Sequence, residues 1–584
     1  MQDVKSIKQL FFLLTIIMLS VGCVEKRDLS RNTIITSISS TPDGMHAFNT
    51  PSGLRTYVFT FTQKSLHRTN VKTLKQIPIL IEEMPDTVGD LLTFSFDLKK
   101  GITWDDGSPL TGEDVVFTVK MMVCPLTNNP GLKDNYSSVF DKVWVDSVNP
   151  FRVYYKTKSV HYSAKTIFQE IYIQQKKNWD PKNITDNIIF ENISQQEFSE
   201  DVKTWFKGFN GTDNIFNVDF LKGLGAYQIT EFKQGSHITI LRKENHWTKD
   251  DTLMYNLSYP DKIVFKVISD KAAVKLALKS ERIDVVNNMG AEKLRKLEKK
   301  DYFKKNYFTE YKNRYVYYYM GLNMKPDLSF QKPFFTDQRV RRAIAHLVPV
   351  DDIIEVLLKG NGNRQNTNTS TFNYRCNDTL KPISLDIKKA KLLLKEAGWE
   401  DTDGDHIIDK EFNGEQIPFR FKVSYMSGGS SKDIVLMMVD EMKKAGVQVV
   451  PNPMDFVVFY KNAQNHDFDA MMGGWISGSS YADPLQLWGT DNWANKGYNF
   501  CGFGDDRSDS LIKAANSTFD EEEHVHAYKA FQEQIYNDQP YVFLFSPMKG
   551  IAVHNRFENI EAFMEKPGVF LNALKLKEEY KKAK

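Results

Sequence analysis

The sequence predicts an α/β protein built as two bodies that the chain visits more than once. Three observations predict it. The chain has 584 residues, room for about four domains at ~150 residues each. Strands with apolar alternation are interleaved with capped amphipathic helices along most of its length. Strand-rich stretches also recur at both ends and in the middle, around one long strand–helix block.

Composition narrows the function. Hydrophobic residues make up 41% and charged residues 26%, a globular balance that excludes wholesale disorder. Lys+Arg number 76 and Asp+Glu 74, a formal charge of +2. A dedicated nucleic-acid binder needs a basic excess, so nucleic acid is excluded as a partner. Four cysteines exclude a disulfide scaffold and a multi-Cys metal centre. Aromatics are in excess, with 9 Trp, 25 Tyr and 40 Phe, which suits a bulky core or an aromatic-walled pocket.

At the N-terminus, Lys5 and Lys8 precede the apolar run LFFLLTIIMLSV, residues 10–21. That run falls short of the ~20 residues a spanning helix needs. A basic head, a short apolar middle and then small residues predict a secretory signal over 1–22. Cys23 follows at once.

Residues 54–61, rich in aromatic and β-branched side chains, predict a short strand. Leu92, Phe94 and Phe96 alternate with polar residues, a half-buried strand. Asp106-Gly107 marks a turn. Thr111 and Asp114 frame a capping box that opens a helix over 115–122. Residues 125–222 have weak periodicity and predict a loop-rich α+β subdomain. Strands return at 227–232, 238–242 and 263–268. Asp270 caps a helix with Ala273, Ala277 and Leu278 on one face, and 284–286 starts the next strand.

The later block repeats this logic from a strand at 315–322. Asp337 opens a helix with Val340, Ala343, Ile344 and Leu347 at i, i+3, i+4 and i+7. Pro349 ends it, and Asp351 starts a second helix stopped by Gly360. Asp386 caps a helix carrying Ala390, Leu393, Leu394 and Ala397, closed by Gly398. Strands at 419–425, 447–450 and 468–473 surround a helix from Ser431 to Gly446. Met437, Met438 and Met442 on that helix read as core. A helix at 524–536 and a strand at 541–545 follow. The expected division is 23–70, 223–306 and 536–584 in the core of lobe 1, 71–222 as its accessory subdomain, and 307–535 as lobe 2. Ligand clefts form between lobes so arranged.

Six blocks in order carry a resemblance. They are FDLKKGITWDDGSPLTGEDVVFTV (96–119), GLGAYQITEFKQGSHITILRKENHW (223–247), DKIVFKVISDKAAVKLALKSERIDVV (261–286), GLNMKPDLSFQKPFFTDQRVRRAIAHLVPVDDII (321–354), AKLLLKEAGW (390–399), and Gly474-Trp475 with Asp483-Pro484. Together they resemble the family 5 extracellular solute-binding proteins, the oligopeptide- and dipeptide-binding receptors of ABC importers. The chain departs from the pattern at Ala226, where the family usually has Pro, and at Glu281-Arg282-Ile283-Asp284, where Gly-Glu-Ile-Asp is common. The resemblance implies a two-lobe, three-domain α/β fold of the periplasmic-binding-protein type with a hinged inter-lobe cleft. It implies no enzymatic activity, no cofactor and no metal. A peptide or small solute would be captured between the lobes and passed to a membrane permease. Cys23 resembles the lipobox cysteine that is diacylated to tether a monomer in the bacterial envelope, although Ser20 stands where that motif usually has Leu.

In the family an extended peptide pairs with strand backbones, and aromatic walls add contact. The resemblance makes Trp475, Tyr481 and Trp488 ligand-binding candidates, with Asn323 and Tyr227 beside them; each also reads as core. Peptide-binding members carry an aspartate after the Gly-Trp pair that holds the ligand's α-amine. Here the segment is GGWISGSSYADP, with Gly478 and Ser480 at the positions for that acid. Asp483 takes the role if the loop folds differently, or it caps the turn before Pro484. The gap leaves open a non-peptide ligand (a sugar, a nickel chelate or haem), and a signalling lipoprotein without a permease stands as a further alternative.

Weaker motifs remain. Asp401, Asp403, Asp405 and Asp409 resemble a calcium loop, but His406 and Phe412 stand where Gly and Glu are required, so a solvated turn is expected. His524 and His526 fall on different helix faces. The absence of a nucleophile elbow, a phosphate loop and HExxH speaks against a hydrolase. Of Cys124, Cys376 and Cys501, at most one pair bridges.

Overall fold

The computed structural model describes residues 27–49 and 52–582. The expected signal segment 1–22 and Cys23 lie outside the described residues.

The first large body is a seven-stranded mixed sheet. Across it run Tyr307–Lys312, Lys549–His554, Val285–Gly290, Thr33–Ile38, Lys262–Val267, His237–Arg242 and Tyr227–Lys233. Thr33–Ile38 is parallel to both neighbours, and the remaining pairs are antiparallel. Helices Lys271–Lys279, Ala291–Glu298 and Asp301–Asn306 bury Leu278, Leu294 and Phe303 on one face. The Asp270 carboxylate accepts the Ala273 N–H at 2.7 Å. The buried face of that helix is Ala277 and Leu278 with Val274 at its edge, while Ala273 is exposed.

The other face shares one core with a four-stranded sheet of Asp86–Thr87, Thr93–Asp97, Arg152–Thr157 and Phe140–Val145. Phe94 and Phe96 point into that core, and Phe94 stacks on Tyr155 at 5.0 Å. The helix Gly112–Val123 lies against it. The buried Asp114 carboxylate accepts from Thr111 N–H (3.1 Å), Trp104 Nε1 (3.1 Å) and Lys176 N–H (2.8 Å).

Residues 54–61, expected as a strand, belong instead to the helix Gly53–Thr62. Ser52 caps it, its hydroxyl accepting the Arg55 N–H at 3.4 Å. Thr56 and Thr60 donate their hydroxyls to carbonyls four residues back, which reconciles β-branched side chains with helix. Burial of Val58, Phe59 and Phe61 against the sheet outweighs their strand preference. Gly225 packs on the end of this helix, where a Cβ would overlap the Phe61 and Thr62 backbone.

The second large body is a five-stranded sheet of Gln448–Met454, Arg420–Met426, Ala470–Ile476, Val316–Leu322 and Tyr541–Phe543. Helices Gln338–Ala345, Val350–Leu358, Ile387–Glu396 and Ser431–Lys443 cover one face and bury Val340, Ile344, Leu394, Met438 and Met442. Helices Asp506–Asn516 and Glu521–Asp538 cover the other, over an aromatic cluster that includes Tyr319, Phe503, Phe531 and Tyr541.

Sheet membership shifts two expected boundaries. Tyr307–Lys312 was expected to open lobe 2, yet it is the edge strand of the seven-stranded sheet. Tyr541–Phe543 and Phe545–Pro547 were expected in lobe 1, yet they pair with Val316–Leu322 and Gly362–Arg364. Alternation marks a strand, but only an open edge elsewhere in the chain decides which sheet takes it. Cys124, Cys376 and Cys501 are buried and free, so none of them bridges another.

Candidate functional site

A cavity of about 1300 Å³ lies between the two large bodies. The first body contributes Ser37–Ser39 at the end of its central parallel strand, together with Tyr57, Arg68, Tyr255 and Asn287. The second contributes Tyr318, Gly429, residues 476–478 and residues 480–482, and Arg314 lines it from the link between the bodies. Strand ends therefore wall it from both sides. The register between Val285–Gly290 and Lys549–His554 slips between Val286 and Met289. This bulge leaves Asn287 and Asn288 unpaired at the cavity wall.

Both charge signs line the cavity. Arg68 lies between the rings of Tyr172 and Tyr255, at 5.8 and 5.6 Å, and donates to the Gln169 carbonyl at 3.2 Å. Burial pulls its pKa down, but Tyr172, Tyr255 and Glu170 outweigh that and hold it above the usual value. Burial pushes the Tyr57 hydroxyl up to about 12. The acids are Glu170, Glu292, Asp433 and Glu565.

The two walls are tied to each other at one side. Ser480 and Thr69 share a hydroxyl hydrogen bond at 3.1 Å, and Gln169 Nε2 donates to Ser480 Oγ at 3.0 Å. The Ser479 N–H donates to Glu565 at 2.8 Å. His161 Nε2 pairs with Asp483 at 3.0 Å. Tyr162 lies flat on the His524 ring, 3.5 Å between centroids.

The candidates from sequence are placed as follows. Tyr481 lines the cavity and donates its hydroxyl to Asn516 at 2.7 Å. Trp475 does not line it. Its strand neighbour Ile476 does, and alternation turns Trp475 to the opposite face, against Phe500 and Tyr498. A Cβ at Gly473 would overlap the Tyr319 ring on the facing strand, which accounts for the glycine there. Asp483 sits beside the cavity, bound to His161, to Asn516 Nδ2 at 2.9 Å and to Leu485 N–H at 2.9 Å. Burial pushes its carboxyl up, but the His161 and Asn516 hydrogen bonds hold it below its ordinary value.

The other three are core. Trp488 is 1% exposed, packed on Phe503 and Tyr541. Asn323 is buried and donates to the carbonyls of His466 and Phe468, at 3.1 and 3.0 Å. Tyr227 is buried and donates to the Pro260 carbonyl at 2.9 Å. A buried polar tip needs a partner, and those of Asn323 and Tyr227 find one inside their own body. Arg68, Tyr255, Tyr57, Arg314 and Glu565 were missed. The signal available was position: clefts in α/β sheets open at the carboxyl ends of parallel strands, where Ser37 and Gly429 stand.

Outside the cavity, Asp401, Asp403 and Asp405 are exposed, with oxygens within 4.8 Å of one another. Asp401 accepts from Gly404 N–H (2.7 Å) and His406 N–H (3.1 Å), and Asp409 accepts from Thr402. His524 is buried and His526 exposed. No helix among the described residues is long and apolar enough to cross a membrane.

Comparison with known proteins agrees with this architecture. Residues 75–496 match the model of the bacterial extracellular solute-binding proteins, family 5. The oligopeptide-binding protein AppA of Bacillus subtilis is 26% identical over 540 residues, 92% of this chain and 87% of that protein. The dipeptide-binding protein DppE of the same organism is 22% identical, covering 82% and 80%. The structure of AppA with a nonapeptide superposes with a TM-score of 0.71 at 23% identity, covering 93% of this chain and 99% of the other. NikZ of Campylobacter jejuni with Ni(L-His) has the same fold, with a TM-score of 0.71 at 18% identity over 93% and 99%. The chain has the two-lobe α/β fold of the periplasmic solute-binding proteins, and it belongs to the bacterial extracellular solute-binding proteins, family 5.

Proposed function

We propose that this protein captures peptides in the cleft between its lobes and delivers them, as a monomer, to the permease of an ABC importer. It does so from a lipid tether at Cys23 on the outer side of a bacterial membrane. The cavity carries the reading. At about 1300 Å³ it exceeds the ~300–1,000 Å³ of ordinary small-ligand pockets. Its walls are strand ends and a bulge, whose main-chain groups bind peptides of any sequence alike. Relatives named for oligopeptides and dipeptides support it. Tyr481 and Arg68 are the contacts we assign to the ligand.

One observation favours a second reading. Gly478 and Ser480 are neutral, and the Ser480 hydroxyl is already engaged by Thr69 and Gln169. A segment that supplies no acid from its own side chains, with only Glu565 reaching it from the other wall, also suits a sugar, a nickel chelate or haem.

Mass spectrometry of small molecules released on denaturing the purified protein decides between them. A mixture of peptides is expected; a single sugar or chelate would overturn the peptide reading. For the tether, Cys23→Ala should move the protein out of the membrane fraction, and retention there would refute lipidation.

A further inference from the structure

Charge is spread unevenly along this chain. Residues 271–305 hold eleven Lys and Arg against five Asp and Glu, a net of +6, whereas the whole chain carries +2. They include the helices Lys271–Lys279, Ala291–Glu298 and Asp301–Asn306, which cover one face of the seven-stranded sheet. The first two helices leave the sheet at its cleft end, where Lys271, Lys275 and Lys293 line the cavity, and run back toward the opposite pole. That pole holds the starts of Thr33–Ile38, Val285–Gly290 and Tyr307–Lys312. The Tyr307 hydroxyl draws it together, donating to the carbonyls of Leu278 and Ile283 at 3.1 and 2.8 Å.

Six cations gather toward this pole: Lys279, Arg282, Lys299, Lys300, Lys304 and Lys305. All are exposed, and among the described residues none has an ion pair. The acids of the stretch are largely engaged. Asp284 is buried on Arg27 and Arg556, Glu281 pairs with His554 at 3.1 Å, and Glu298 accepts from the Tyr311 hydroxyl at 2.6 Å. Glu292 lines the cavity beside Lys293, so Asp301 alone remains to face the six. A helix C-terminus favours a cation, but two adjacent lysine pairs, and Arg282 outside any helix, exceed that. Like charges crowded on one face repel, and a negative surface relieves them.

The N-terminal chain leaves from the same pole. Arg27 donates to Asp284 at 2.6 Å and to the Thr33 carbonyl at 3.0 Å, and it reaches the Glu281 carbonyl, next to Arg282, at 3.4 Å. Cys23 lies four residues before Arg27, at most ~14 Å of chain. An acyl group on Cys23 therefore keeps this pole within about two Debye lengths of the headgroups. At that range each Lys or Arg strengthens attraction to an anionic bilayer about fivefold.

We propose that this basic pole rests on anionic phospholipid headgroups of the membrane that holds the tether. The proposal rests on the lipidation of Cys23 proposed above. Headgroup phosphates accept from the lysine and arginine side chains. The cleft, at the other end of the same strands, is held about one strand length, ~20 Å, above them.

Vesicle sedimentation of the mature chain without its acyl group, residues 24–584, tests this. Phosphatidylcholine vesicles with about one third phosphatidylglycerol should bind it at least about tenfold more tightly than phosphatidylcholine alone. Raising salt from about 0.05 to about 0.5 M should abolish the difference. The combined variant Lys299→Glu, Lys300→Glu, Lys304→Glu, Lys305→Glu should bind the mixed vesicles at least about tenfold more weakly. An equal charge change on an exposed helix of the second body, Lys388→Glu, Lys389→Glu, Lys391→Glu, Lys395→Glu, should cost less than about threefold. Equal binding to both vesicles, binding to neither, or equal loss in the two variants overturns the proposal. So does tighter binding to soluble polyphosphate than to vesicles at equal phosphate, which would assign the face to a polymer. Lipidation is decided apart from this. After a wash in about 0.5 M salt, Cys23→Ala protein held only by this face leaves the membrane, while protein held by an uncleaved apolar segment stays.

Discussion

The two large bodies hold together by opposite means. The seven-stranded sheet gathers strands from three separated stretches, 33–38, 227–312 and 549–554. A buried charge cluster ties them. Both Asp284 and Arg556 are fully buried. Asp284 accepts from Arg556 Nε at 2.8 Å, Arg27 at 2.6 Å and the Ile35 N–H at 2.8 Å. Arg556 also donates to the carbonyls of Leu29 and Arg31, at 2.7 and 2.8 Å. The five-stranded sheet comes from one run of chain, 316–543. Aromatics fill its centre: Trp399 and Phe334 stack on Phe419 at 4.4 and 5.3 Å. Of its buried cations, Arg341 binds only carbonyls, of Phe335, Thr336 and Asp538, and Arg375 reaches a carboxylate only at 3.5 Å, the half-exposed Glu521. The difference shows what each assembly needs. Segments arriving from distant parts of the chain need a mark of identity, which directed charges supply. A continuous run needs shape and area, which rings supply.

The sharpest way to break this comparison is Asp284→Asn. It leaves Arg27 and Arg556 facing each other without a counter-charge, at a cost of about 3–5 kcal/mol. Urea unfolding followed by hydrogen exchange should show the seven-stranded sheet weakened alone; equal loss in both bodies would sink the contrast. Acid probes the same cluster. Burial pushes Asp284 up, but Arg27 and Arg556 hold it below its ordinary value of 3.8. A carboxyl lowered by folding stabilises above its unfolded pKa and loses that contribution as pH falls through the folded one. Below about pH 4 the first body should therefore weaken before the second.

The converse change is Met438→Ala, which cuts a fully buried side chain of the second body and should cost about 3 kcal/mol there. Urea midpoints of the seven-stranded sheet should not move. The smallest effect is expected at the contact between lobes. Asp483→Asn keeps the Asn516 and Leu485 contacts within reach but removes the charge facing His161. Ligand dissociation should speed up by less than about fivefold, as half-exposed pairs contribute ~0.2–1 kcal/mol. A larger change would place Asp483 in direct contact with ligand.

What could be read from sequence follows the reach of each interaction. Helix starts at Asp270, Asp337 and Asp386 are local, each a carboxylate meeting a backbone N–H two or three residues on. Tyr541–Phe543 was readable as a strand while Tyr307–Lys312, Thr33–Ile38 and Lys549–His554 were not, and the partners of Tyr307–Lys312 and Tyr541–Phe543 lie more than 100 residues away. Residues 53–62 misled because aromatic and threonine side chains look like strand until their burial is known. In the cleft, Tyr481 was singled out from a motif. Trp475 fails by one step of alternation. Nothing beside Arg314 or Glu565 in the chain distinguishes a cleft charge from a surface one.

The chain passes between the two large sheets at two links, 313–315 and 548, with a mechanical consequence. On one side the links join antiparallel neighbours, Tyr307–Lys312 with Lys549–His554; on the other, Val316–Leu322 pairs with Tyr541–Phe543, which runs on through Phe545–Pro547 into the link at 548. The links therefore lie side by side like the knuckles of a door. Such a joint swings about one line and resists twisting and sliding. Cutting either link would turn the door into a swivel, and the lobes would meet without their facing walls in register.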